Sequence, residues 1–444
     1  MDRGSSQRIM SKKLTVCVTG DSHFVANMPD EYEKDLQEVA EFIDSGDIRI
    51  TNLETNVSPF GDFANAYSGG SWLNTEPEVF DDLTRFGFNY YGTANNHCMD
   101  YSYHGLLSTI DELDKRGLAH SGTGRNLEEA SAPAIIEAGG QKIAIFAVTC
   151  AFNDASKAGW TTKRQKGRPG VNYVGSQKYY PIDSDDYEAL KRIAKKTNVN
   201  GREDFLVSNG FSLPEAKGVF NFGNVKFCYD GSKKLSECNK KDKARLLSSI
   251  ESAVKTYEYV FILIHSHDVC SSDPEEVPQY YEELAHACID AGVAAVIGGG
   301  IHQLRPIEIY KGRPIFYSLG DFIFQGSHLP ILPADFMEKY GVDINATAEE
   351  GFAARSKGGK IGLATKKCNF LSVVPKMEFD GGKLTSLTMM PTNAGFGKEW
   401  ALNGLPYYAR GDEGKEIFGI LDRLSKPYGT ELIYENNMIK AKLK

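Results

Sequence analysis

The sequence predicts an α/β layered fold, on the strength of three observations. Short apolar runs recur along the chain as "LTVCVTG" (14–20), "DIRITNLE" (47–54), "FNYYGTA" (88–94), "KIAIFAVT" (142–149), "YVFILIHSH" (259–267), "AAVIGGG" (294–300) and "RPIFYSLGD" (313–321). Most are continuous rather than alternating, the pattern of strands buried on both faces. Helical patterns stand between them, and such β/α alternation selects layered α/β architectures.

The helical patterns are "DEYEKDLQEVAEFIDSG", "EPEVFDDLTRFG", "YHGLLSTIDELDKRG", "ARLLSSIESAVKT" and "PEEVPQYYEELAHACIDAG", several closed by a Gly stop. From 153 to 243 the alternation lapses into polar sequence rich in Gly, Lys and Tyr. A stretch of that length inside a compact domain reads as a functional insertion, here a lid or cap. Residues 12–325 are therefore expected to form the main domain. Residues 326–444 form a C-terminal extension that completes it or packs on it, with a hairpin at 370–391 turning around Asp380, Gly381 and Gly382.

Composition excludes some partners. Lys and Arg number 50 against 59 Asp and Glu, a net charge of -9, so no basic field exists to gather phosphate backbones and nucleic acid is not an expected partner. Eight cysteines without any C-x-x-C suit reduced thiols and a cytoplasmic setting. The first twenty residues hold no apolar h-region, and no later run approaches the length of a membrane span, so neither secretion nor a span is expected.

The chemistry lies where the strands end. Strand-terminal clusters are "GDSH" (Asp21, His23), "TNLE" (Asn52, Glu54), "ANNH" (Asn95, Asn96, His97), "HSHD" (His265, His267, Asp268) and "GGGIH" (His302). Ligands of open α/β sheets bind at the carboxyl ends of the strands. One strand-end Asp or Asn is commonly a turn former or cap, but five clusters on one edge make a site. Carboxylate, amide and imidazole donors without thiolate suit Mn, Fe or Zn, and a carboxylate shared between two ions is the usual device of two-metal hydrolases. Strand alternation aims Asp21 and His23 to one side, where both could reach one ion. Glu54 ends an apolar run, where a carboxylate is costly to bury without a cation. His286 reads as structural, His104 as a surface residue and His328 as a loop residue, with His120 undecided.

Taken in order, "TGD", "TNLE", "ANNHCMDYSYHGLLSTIDELDKRGLAHSGTGRNLEEASAPAII", "IHSHD" and "IHQLRPIEIYKGRPIFYSLGDFIF" resemble the motifs of the CapA family. These are poly-gamma-glutamate capsule biosynthesis proteins, a branch of the calcineurin-like metallophosphoesterase superfamily. The resemblance covers residues 14–152 and 257–325. It implies a four-layer α/β/β/α sandwich with a centre of one or two divalent ions. Asp21, His23 and His302 would hold one ion, Asn96 and His265 the other, and Glu54 would bridge. His97 would act as general acid or transition-state donor, oriented by Asp100.

Three departures qualify it. Gly300 stands where the family's Gly-His-Pro-His has an imidazole, so the second ion's site is expected to be weak unless His267, in "HSH" for the family's "HWG", substitutes. Asp321, in "SLGD" for "SLGN", adds a carboxylate that could touch metal or substrate. His23 completes the Asp-x-His of the broader superfamily. The activity implied is metal-dependent hydrolysis of a phosphoester or amide in a small-molecule or peptide substrate, with Arg125 and Arg305 as candidate substrate contacts. The alternative is metal-dependent peptide epimerisation, as some CapA-like proteins perform in ribosomal peptide biosynthesis. A part in poly-gamma-glutamate capsule biosynthesis comes third.

Overall fold

A computed structural model describes residues 13–231 and 233–443; residue 12, where the sequence reading starts the domain, the charged N-terminal stretch and residue 444 lie outside them. Two large sheets dominate an α/β fold. The ten-stranded sheet is organised around Lys13–His23, which runs parallel to Ile48–Leu53, itself parallel to Tyr90–Gly92. On its other side the first strand has two successive partners. Residues 13–17 pair antiparallel with Leu371–Asp380, and residues 21–23 pair parallel with Asp321–Phe324. The six-stranded sheet sets Gln141–Thr149, Tyr259–His265, Ala295–Gly299 and Arg313–Phe316 side by side and parallel.

The continuous apolar runs mean what the sequence implied. Val16, Val18 and Ile50 of the first sheet share one buried cluster with Ile145, Phe261, Leu263 and Ile297 of the second. The alternate side chains of the second sheet, Phe146, Ile262 and Ile264, pack on Leu246 and Ile250 of helix Lys240–Val254 and on Leu284 and Cys288 of helix Gln279–Asp290. The first sheet's outer face, with Leu53, Tyr91 and Val374, takes Leu36, Val39 and Ile43 of helix Glu33–Asp44 and Phe80 and Leu83 of helix Pro77–Thr84. The 3–4-residue spacing of these apolar positions is what makes each helix one-sided. Each fully buried Leu, Ile or Phe contributes about 1.5–3 kcal/mol, so the sheets and their helices are held chiefly by these three clusters.

The hairpin is Leu371–Asp380 and Lys383–Asn393, closed by Gly381 and Gly382 at φ 56° and 83°. Two central residues with positive φ form the turn whose twist matches paired strands, and glycine takes it without strain. Both strands belong to the ten-stranded sheet, as do Leu432–Glu435 and Met438–Ala441. The C-terminal third is thus built into the sheet. Residues 153–243 carry short strands and the helices Ser184–Thr197 and Gly201–Ser208. Cys17, Cys98, Cys150, Cys238, Cys270, Cys288 and Cys368 are free thiols. No helix of the described residues is long and apolar enough to cross a membrane.

Candidate metal centre

The carboxyl ends of parallel strands from both sheets meet. The first sheet brings His23 from its central strand, Glu54 from just past Leu53, and Asn96 and His97 from the turns after Gly92. The second brings His265 at the end of its strand, His267 two residues on, and His302 three residues past Gly299. Asp321 opens the strand that pairs with Asp21–His23.

Two groups of donor atoms result. His23, His302 and Asp321 offer ligand atoms all within 4.8 Å of one another, and so do Glu54, His265 and His267. Glu54 lies between them, with Oε2 2.8 Å from His23 Nε2 and Oε1 3.3 Å from His265 Nε2 and 3.7 Å from His267 Nε2. Asn96 Oδ1 adds a fourth donor to the second group, 2.7 Å from His265 Nε2 and 3.0 Å from His267 Nε2. Its amide is oriented because Nδ2 donates to the Gly69 carbonyl at 3.1 Å. Tetrahedral ligands bound at their usual lengths stand roughly 3.4 Å apart, so these separations are of the right size for one ion.

Polar satisfaction points the same way. His23 Nε2 and both Glu54 oxygens are buried without a hydrogen bond in acceptable geometry, although His23 and Glu54 are in ion-pair range. Buried polar atoms are rarely left so, and a cation is one remedy. Without one, protons do its work. Burial opposes charge on His23 and His265, yet the Glu54 carboxylate raises them to about 9 and about 10. Burial likewise opposes the charge of Glu54, but His265 and His23 hold it well below the carboxylate range. Burial raises Asp321 against the pull of His302. His267 is lowered, first by burial and then by the neighbouring His265 and His302, which favours the neutral imidazole a metal needs.

His97 stands beside these groups. Its Nδ1 is 2.5 Å from Asp100 Oδ2, and its ring centroid is 5.9 Å from that of His23. Asp100 is held by the backbone N–H groups of Gly69 and Leu73, at 3.0 and 2.8 Å. With Nδ1–H donating to the carboxylate, Nε2 is the nitrogen free for chemistry. A cavity of about 920 Å³ opens over His23, His97 and His302.

The remaining expectations fall out as follows. Asp21 is buried but outside both groups: Asn52 Nδ2 donates to its Oδ1 at 2.6 Å, the Gly300 N–H to its Oδ2 at 2.5 Å, and Oδ1 lies 3.6 Å from His265 Nδ1. The pairing register shifts between Val18 and Asp21 on one side and between Asp21 and Ser22 on the other. Arg125 pairs with Asp111 and Glu129 on the surface. Arg305 is fully buried and binds the carbonyls of Pro274 and Asp268, bracing the loop after His267. His286 pairs with Glu308, His104 lies against Phe63, and His120 pairs with Asp114.

The cover differs from expectation. No described residue of 153–243 lines the cavity; its wall comes from segments at 69–73, 326–329, 349–365 and 396–403. The insertion instead anchors on the far side of the loop after His267, where Ser176 Oγ meets Asp268 at 3.2 Å and Lys178 Nζ meets the Cys270 carbonyl at 3.2 Å. His328, which reads from the sequence only as a loop residue, is stacked on Trp400 with ring centroids 4.1 Å apart and lines the cavity. The helix Ala348–Arg355 was also unforeseen, although Thr347-x-x-Glu350 is a capping box and could have announced it.

Comparison with known proteins adds a family. The sequence model described as bacterial capsule synthesis protein PGA_cap matches residues 15–326. A Sinorhizobium fredii protein, uncharacterized protein y4sH, is 29% identical over 449 residues, covering 98% of this chain and 94% of its own length. The PGA biosynthesis protein CapA of Bacillus subtilis is 26% identical over 253 residues, 57% of this chain and 47% of that protein. The capsule biosynthesis protein CapA of Bacillus anthracis is 24% identical over 323 residues, 71% of this chain and 60% of that protein.

Proposed function

Since this chain belongs to the family of bacterial capsule synthesis proteins, we propose that it is a metal-dependent hydrolase of the CapA-like, metallophosphoesterase type. The two sheets with helices on their outer faces are then its four-layer α/β/β/α sandwich. Glu54 carries this reading: one buried carboxylate faces two separate donor groups, one with each oxygen.

His23, His302 and Asp321 would hold one divalent ion, His265, His267 and Asn96 a second, with Glu54 between; Mn, Zn and Fe all accept such donors. Ions held there supply Lewis-acid polarisation of a carbonyl or phosphoryl oxygen and lower the pKa of water. His267 takes the part of the imidazole missing at Gly300. Asp21 is a positioning residue, aligning His265 through Nδ1. His97 presents Nε2 for proton transfer to the leaving group, its ring oriented by Asp100 through Nδ1. The free thiols of Cys17, Cys98, Cys150, Cys238, Cys270, Cys288 and Cys368 go with a cytoplasmic location.

A second reading, epimerisation of a peptide, is favoured by His97 lying next to the metal residues rather than among them. A base beside a polarised carbonyl can exchange an α-proton as well as protonate a leaving group. Third is a part in building a poly-gamma-glutamate capsule, after the names of the Bacillus relatives.

The test is metal content and turnover in parallel. Protein purified without chelator is expected to carry close to two ions. Glu54→Gln should lose metal, whereas His97→Ala should keep it and lose about 10²–10⁴-fold in turnover. Phosphoesters and peptides in heavy water separate the chemistries: cleavage marks hydrolysis, and deuterium at an α-carbon without cleavage marks epimerisation. Wild-type protein that binds no divalent ion at micromolar concentration sinks the proposal.

A further inference from the structure

The cavity over the metal residues is built in two parts of different origin. Its floor, with His23, His97 and His302, lies within the residues matched by the family model, whereas its wall from Ser327 to Asn403 lies beyond them. That wall is nonetheless inside the alignment with the Sinorhizobium protein, which covers 98% of the chain. Apart from the segment at 69–73, Phe324 and Gly326, the wall therefore comes from a segment that this chain shares with its full-length relatives and that the family match does not reach.

The chemistry of the wall is uneven. It is largely apolar, and Ile361, Leu363 and Trp400 remain 47%, 37% and 63% exposed along it. Its single arginine is Arg355, in the last turn of helix Ala348–Arg355. The guanidinium donates from Nη1 to Ser71 Oγ at 2.5 Å and has no ion pair among the described residues. Arg116, Arg125, Arg410 and Arg423, by contrast, each pair with a carboxylate. Glu349 lines the same cavity from the first turn of the same helix, which disfavours a second anionic group there.

Resting on the reading of the floor as a metal centre, we propose that Arg355 is a specificity-determining residue. It binds the carboxylate of an amphipathic, peptide-like substrate that carries one negative charge and lays its apolar part along Ile361, Leu363 and Trp400. A guanidinium matches a carboxylate in bidentate fashion and is at its strongest where water is partly excluded. A volume of about 920 Å³ is near the upper end of small-molecule sites and exceeds the need of a simple phosphomonoester. A polyanion fits poorly, since one arginine set against Glu349 cannot neutralise a row of carboxylates.

The experiment is binding to the full chain, followed by calorimetry and tryptophan fluorescence, with metal content measured on every sample. The probes are acetylated tetrapeptides, alanine in the first two positions and Phe, Leu, Val or Trp in the last two, each as free acid and as C-terminal amide. The third probe is an oligo-γ-glutamate of equal length, and the fourth a phenyl phosphate ester. The free acids are expected to bind best. Arg355→Gln should weaken the acids about tenfold or more and leave the amides unchanged, while Arg355→Lys restores part of the loss. Trp400→Ala should weaken both forms alike. Equal affinity of wild type for acid and amide, tighter binding of oligo-γ-glutamate or of the phosphate ester, or no binding of any peptide at millimolar concentration overturns the proposal. Metal content keeps the two ideas apart: a chain without ions whose acid preference still depends on Arg355 refutes the metal centre and leaves the carboxylate site standing.

Discussion

Glu54 and Asp21 show at the scale of single residues what a sequence can and cannot disclose. A carboxylate closing an apolar run announces its own burial cost, so Glu54 was legible as a residue needing positive charge nearby. Asp21 was legible as part of the site but not in its role. Which hydrogen bonds its oxygens accept depends on Gly300 and Asn52, both distant in the chain, and on a local register shift. Protonation belongs to this scale too. In the ion-free protein His23 and His265, raised to about 9 and about 10 by Glu54, are charged at neutral pH. Their folded values exceed the ordinary histidine value, so this stabilisation is complete below about pH 6.5 and is lost as pH rises through about 9 to 10. A divalent ion must displace those same protons, and its apparent affinity should therefore rise from pH 7 to 9, by up to about tenfold per unit for each proton released. Titration calorimetry in two buffers of different ionisation enthalpy is expected to register about two protons leaving as the ions bind. An affinity flat in pH would mean that the imidazoles are not the ligands.

Among the elements, the strand-to-loop passage at Gly299–His302 is tightly constrained. A Cβ on Gly299 would lie 2.4 Å from Asp21 Oδ1, and one on Gly300, at φ 107°, 2.5 Å from the Ser266 carbonyl oxygen. No imidazole could stand at 300 without moving the segment that carries His265 and His267. The substitution that looked in the sequence like a lost ligand is part of a local rearrangement that has His267 nearby. Gly300→Ala is accordingly expected to cost about 2 kcal/mol or more and to reduce the ions bound per chain. Gly419→Ala, in the exposed middle of helix Gly411–Ser425 with open space around it, should be neutral or stabilise by about 0.5–1 kcal/mol. Thermal melts of the two variants with ion counts decide this; a Gly300→Ala protein as stable and as metal-rich as wild type contradicts the packing account. The strands and helices were legible from apolar spacing, whereas the cavity wall at 326–403 was not. Its helices are short and its contacts are with remote loops, as in the bond from Arg355 to Ser71.

Over the whole molecule, both sheets supply the donor residues and the segment after residue 326 supplies much of the cavity wall. His302 and Asp321 lie far along the chain from His23, and the strand carrying His23 is flanked by Leu371–Asp380. The strand Lys13–His23 is therefore completed only after residue 380 has been made. At about 5–20 residues per second, tens of seconds pass between synthesis of Lys13–Cys17 and arrival of its partner, during which the apolar strand has one open edge. Chains arrested on the ribosome before residue 371 should remain open to protease near that strand, and those arrested well past 393 should become resistant; protection already complete in the shorter chains would show that the edge closes in some other way. A strand that waits this long for its second neighbour is a natural client for a holding chaperone.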